Sequence, residues 1–140
     1  MFPTPYFLLP VIIPSMLMRI QSVIIHCSNL QRSIEFYRDR LGFPVKRLYE
    51  DRAEFHCGPV TLVLRLAHGT PQPAASIPQP VHTPGGAQIA FEVLHLGAFY
   101  TEKKDLGVEF TLPPTSQDVG NKFAVLRDPD GFSIAVMQAR

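Results

Sequence analysis

The chain has 140 residues, a formal net charge of +1 and 46% hydrophobic residues. That is the size of one ordinary domain, apolar enough to bury a core without staples and to exclude disorder. Its basic residues are not clustered, which excludes a nucleic-acid surface. Its two cysteines, Cys27 and Cys57, form no C-x-x-C pair, which excludes zinc-ribbon and thioredoxin-type readings. Two thiols make no disulfide framework and fit a reducing, cytosolic compartment.

Residues 1 to 18 form an apolar leader carrying Pro3, Pro5, Pro10 and Pro14. A membrane helix needs about 20 apolar residues, and these prolines would break one. A signal peptide would need a basic start and a small-residue cleavage site, and both are missing. Two readings stand: a flexible or mis-assigned leader with the true start at Met16 or Met18, or an apolar arm that packs on a neighbouring subunit or on its own body.

From Arg19 the pattern becomes regular. Ile20 to Cys27 is rich in β-branched residues and predicts a strand. Ser28 and Asn29 offer helix caps, and Leu30, Ile34, Tyr37 and Leu41 follow at helical spacing up to Gly42. Short strands are expected over 45–49, 53–57 and 60–66, with a turn at Gly58-Pro59. The proline-rich stretch from Gly69 to Gly86 reads as a linker. The pattern then repeats. A strand over 88–93 precedes a helix that begins near Leu96 and ends at Leu106-Gly107. Strands follow over 108–112, 122–127 and 132–138, the last two joined by Asp128-Pro129-Asp130-Gly131.

The halves superimpose in pattern: Ser22 and Gln88 lie 66 residues apart, as do His26 and Glu92. The expected fold is therefore α+β: a domain over 19–138, with module 1 over 19–68, a linker over 69–86 and module 2 over 87–138. A βαβββ unit is too small to bury both its faces alone. Two in tandem form one curved mixed sheet with helices outside and a concave inner face.

The segments SVIIHCSNLQRSIEFYRDRLGFPV, GGAQIAFEV and GNKFAVLRDPDGFSIAVMQ resemble the vicinal oxygen chelate superfamily of glyoxalases, bleomycin-resistance proteins and dioxygenases. The resemblance runs from about Arg19 to Gln138. It implies a cupped sheet holding a small molecule, in many members beside a divalent metal. It also implies homodimers, whose cups a partner or edge strands complete. Bleomycin-binding members sequester their ligand without metal or catalysis, so the fold alone does not settle function.

In metal-dependent members the ligand positions correspond here to Ser22, Gln88, Ala135 and, in the first half, Leu62. Alanine and leucine cannot coordinate, serine is a poor neutral ligand, and only Gln88 is a donor. The expected protein therefore has no cofactor; the alternative is a divalent metal at a shifted site built from His26, Gln88, Glu92 and His56.

Strand alternation then gives the inner face. Val23, Ile25 and Cys27 pack under the helix, leaving Ser22, Ile24 and His26 facing inward. Ile89, Phe91 and Val93 pack likewise, leaving Gln88, Ala90 and Glu92 inward. Ser133, Ala135 and Met137 join them. These nine residues are the candidate ligand site, with His26 and Glu92 as candidates for an acid/base pair. Glu54 and His56 share one face, which the sequence does not determine. Arg127 either meets an anionic ligand or caps its hairpin. The loops over 69–86 and 113–120 would shape the cavity. The expected function is binding of a small organic molecule without the metal triad. The alternative is a lyase, isomerase or dioxygenase of the same superfamily, resembling lactoylglutathione lyase and using Gln88, His26 and Glu92. Neither membrane nor nucleic acid is an expected partner.

Overall fold

The computed structural model describes residues 17, 19–67, 84, 86–118 and 121–139. The leader over 1–18 and the linker over 69–86 lie almost entirely outside them. Module 1 consists of β1 (Ser22–Cys27), α1 (Leu30–Ile34), β2 (Val45–Leu48), β3 (Arg52–Cys57) and β4 (Val60–Leu66). Module 2 repeats it with β5 (Ile89–Val93), α2 (Leu96–Asp105), β6 (Glu109–Asp118), β7 (Asn121–Arg127) and β8 (Ser133–Gln138). The strand surface is divided into two four-stranded sheets, ordered β1-β4-β3-β2 and β5-β8-β7-β6. β1 runs parallel to β4 and β5 parallel to β8, and the other neighbours are antiparallel. The helix between β1 and β2, or between β5 and β6, carries the chain back across the sheet.

Alternation sorts the strands as expected. Ile25 and Cys27 are buried, Val23 packs against them, and Leu62 and Leu64 of β4 lie beneath α1. Ile134 and Val136 of β8, with Ala124 and Leu126 of β7, form the corresponding layer in module 2. The two apolar layers belong to one cluster, and the rings of Phe43 and Phe91 meet between the modules at 5.0 Å.

Asn29 caps α1 by accepting from the Arg32 amide at 3.0 Å. After Ile34 the helix widens into a π-helical stretch over Glu35–Arg40, with Leu41 N donating to the Phe36 carbonyl at 2.9 Å. Phe36 and Tyr37 on this stretch both reach the core. Gln138 replaces a local cap at α2, its Oε1 accepting from Leu96 N at 3.1 Å.

The largest departure from expectation is β6. The stretch from Pro113, expected as loop, continues as strand to Asp118. Proline cannot donate to a ladder, but β6 is the outer strand of its sheet, and register shifts flank Pro113-Pro114. An edge position with bulges removes the conflict.

The Asp128–Gly131 turn also holds the modules together. Gly131 N donates to Asp128 O at 2.9 Å, and Gly131 has φ +86°, a conformation that favours glycine. The buried Asp128 carboxylate accepts from Phe132 N at 2.8 Å, Asp130 N at 2.9 Å and, across the module boundary, Tyr37 Oη at 2.9 Å. Asp130 accepts from Ser28 N at 3.2 Å, the Ser28 hydroxyl, and Arg32 Nη2 at 3.2 Å, all at the start of α1.

Burial pushes the Asp128 carboxyl above the usual range, and its backbone amide donors and Tyr37 pull it partly back. Burial, with Asp128 alongside, raises the Tyr37 phenol far above its ordinary value. Tyr37→Phe removes a buried donor. It should lower the unfolding free energy by about 1–3 kcal/mol in urea titrations and push the Asp128 carboxyl higher still in carboxyl NMR titrations. Arg38→Ala, which breaks an exposed pair with Asp39, should leave stability unchanged. Because the folded state holds the Asp128 proton more tightly than the unfolded chain, its contribution favours folding at low pH. That contribution declines as pH rises from the ordinary carboxylate value through the raised one. Asp128→Asn should flatten that part of the stability profile.

Candidate functional site

The face of each sheet away from its helix carries the alternate residues. In module 1 the register sets three rows across the strands. Ser22 lies beside Thr61 and His56, Ile24 beside Val63 and Glu54, and His26 beside Arg65 and Arg52. This assigns Glu54 and His56 to the open face. The face holds a recess of about 460 Å³ lined by Ser22, Ile24, Lys46, Arg52, Glu54, Thr61, Val63 and Arg65, among others. Lys46 Nζ donates to Thr61 Oγ1 at 3.1 Å, and Arg52 Nε stands 3.7 Å from Glu54.

In module 2 Ala90 lies beside Ala135 and Val125, and Glu92 beside Met137 and Phe123. Gln88 Nε2 donates to Ser133 Oγ at 2.7 Å. Arg127 is level with Ser133 on one side and Glu109 on the other. Ala90 and Glu92 also line a larger cavity of about 590 Å³ between the modules. Its other walls include Leu41, Phe43, Cys57, Phe91 and Phe99, so residues of the open face and of the apolar layer both line it.

The nine predicted residues thus divide. Ser22 and Ile24 line the module 1 recess, and Ala90 and Glu92 the intermodular cavity. His26, Gln88, Ser133, Ala135 and Met137 line neither. His26 and Glu92 are both exposed, and no hydrogen bond or ion pair joins them among the described residues. His95 stands at the N-cap of α2, while His68 and His82 lie outside the described residues. Burial raises the thiols of Cys27 and Cys57 above the usual cysteine range, which disfavours their thiolate forms.

The metal positions need one adjustment. Leu62 points into the core at 1% exposure, so it is not the counterpart of Ala135. Ala135 pairs with Ala90, and the equivalent pair in module 1 is Val63 with Ile24. Val63 is also apolar, so the donor set does not fit the superfamily's metal: Ser22, Gln88, Val63 and Ala135 supply one amide and one hydroxyl. Among the described residues no three His, Cys, Asp or Glu side chains gather to hold an ion.

Sequence reading missed Arg52, Arg65, Lys46 and Thr61. The signal was present in β4, where Thr61, Val63 and Arg65 alternate with Leu62, Leu64 and Leu66.

A sequence model of the Glyoxalase/Bleomycin resistance protein/Dioxygenase superfamily matches residues 19–136, and the chain belongs to that superfamily. Solved structures agree on the fold. A protein of unknown function from Agrobacterium tumefaciens str. C58 is 22% identical with a TM-score of 0.71, covering 89% of this chain and 97% of that one. A glyoxalase family protein from Enterococcus faecalis is 25% identical with a TM-score of 0.67, covering 86% and 97%. A lactoylglutathione lyase from Agrobacterium tumefaciens is 22% identical with a TM-score of 0.65, covering 86% and 93%. A search of curated protein sequences gave no match. No helix among the described residues is long and apolar enough to cross a membrane.

The face assignment is testable by paired truncation. Leu62→Ala should lower the unfolding free energy by about 2–5 kcal/mol. Ile24→Ala, at a half-exposed position, should cost under about 1 kcal/mol in the same denaturant titrations.

Proposed function

We propose that this protein binds a small organic molecule on the open face of its sheets, without the metal of its metal-dependent relatives, and that it works as a cytoplasmic homodimer. The module 1 recess carries the reading. Ile24 and Val63 give it an apolar wall, and Ser22, Thr61, Glu54 and Arg65 give it converging polar groups, the mixture that small-molecule sites use. The two free thiols fit a reducing compartment. The enzyme alternative has less behind it: Gln88 is already bonded to Ser133, and His26 and Glu92 are not linked to each other.

A thermal-shift screen of small metabolites, run beside metal analysis of the purified protein, tests the reading. A ligand at about 100 times its Kd should add about 2.7 kcal/mol of stability, and divalent metal should stand well below one ion per chain. A stoichiometric divalent ion, or a screen in which no compound shifts the transition, overturns it. Light scattering should give twice the chain mass.

A further inference from the structure

We infer that the module 1 recess selects an organic carboxylate, held at its acid group by Arg65 with Arg52 beside it. This rests on the small-molecule reading and specifies the ligand's chemistry.

Charge is the first property of the recess that points to its ligand. Arg19, Lys46, Arg52 and Arg65 line the recess against the single carboxylate of Glu54. Arg52 and Arg65 are direct cross-strand neighbours, and His26 adjoins Arg65 on its other side. Like charges directly opposed in an antiparallel pair destabilise the sheet, so this row needs compensation. Arg52 has it: its guanidinium lies 3.7 Å from the Tyr49 ring centroid, with Asp51 at 3.2 Å and Glu54 at 3.7 Å. Arg65 does not. Its Nε is buried and, among the described residues, has no hydrogen-bond partner. Arg65 lines the recess, and among the described residues no hydrogen bond or ion pair engages its guanidinium; the partner that matches the fork's outer N–H groups is a planar oxyanion.

The rest of the recess narrows the class. Ile24 and Val63 occupy the adjacent row, giving an apolar body a surface to rest on. The apolar row favours an anion that carries an apolar body, which inorganic phosphate lacks. Ser22 and Thr61 stand at the far end, able to bond a hydroxyl or carbonyl of that body.

The experiment titrates the isotope-labelled full chain with benzoate, its neutral analogue benzamide and inorganic phosphate, following backbone amide and arginine Nε–H resonances by NMR. Benzoate should move the Arg65 Nε–H signal and bind at least about tenfold more tightly than benzamide or phosphate. Arg65→Met and Arg52→Met should each weaken benzoate by about tenfold or more, Arg65→Lys should recover part of the loss, and Arg38→Met should change nothing. Two separate arginine variants, each checked by its amide spectrum, guard against a folding failure. Benzamide binding as tightly as benzoate overturns the carboxylate assignment and leaves the small-molecule reading standing. Phosphate binding more tightly than benzoate overturns it in favour of a phosphate site. Benzoate binding unchanged in both folded variants moves the site elsewhere and overturns the role of Arg65. No binding of benzoate overturns the assignment, and the failure extends to the broader reading only if the metabolite screen is also blank.

Discussion

A carboxylate taken out of water is costly unless its oxygens find donors, and the Asp128 carboxylate finds three. Two are amides of its own turn, Asp130 N and Phe132 N, and the third is the Tyr37 hydroxyl from the other module. The turn is thereby preorganised by local bonds, and its one remaining demand is met only when module 1 docks. Asp130 extends the same contact through Ser28 and Arg32, in a more exposed setting where each bond contributes less. The two sheets share no hydrogen-bonded ladder among the described residues, so this clamp and the Phe43–Phe91 contact set how the apolar layers meet.

That arrangement separates stability from function. Each sheet gives its helix-side residues to the common core, while the opposite face is more open, with Val63 and Ala135 its buried members. The residues that would hold a metal in metal-dependent relatives are here Ser22, Gln88, Val63 and Ala135, so the frame persists where the donors do not. The polar character of the open face comes instead from β3 and β4, where arginines occupy the row beside His26. Position on the frame is inherited from the fold, while chemistry is a property of the side chains placed there.

Much of this was legible in the sequence because the relevant signals are local. The period-2 pattern of β1 distinguishes Ile25 from Ile24, and that of β8 distinguishes Ile134 from Ala135. The Asp-Pro-Asp-Gly turn and the Asn29 cap follow from side chains bonding their own backbone. The 66-residue offset between His26 and Glu92 exposes the duplication. The β6 extension was not legible, because two prolines read as loop until the strand is known to be an edge.

Composition, alternation and turn chemistry thus determined the two βαβββ modules and their buried faces. Tertiary structure decided what lies beside what. Whether Leu62 or Val63 answers Ala135 depends on the parallel register of β1 with β4, and a one-residue slip reverses the face. That Arg52 opposes Arg65 depends on the antiparallel register of β3 with β4, between positions 13 residues apart in the chain. That Asp128 reaches Tyr37 depends on docking of the modules across a separation of 91 residues. Local patterns fix which way a side chain points, but register and docking are cooperative properties of the assembled sheets, and no short stretch of the chain contains them.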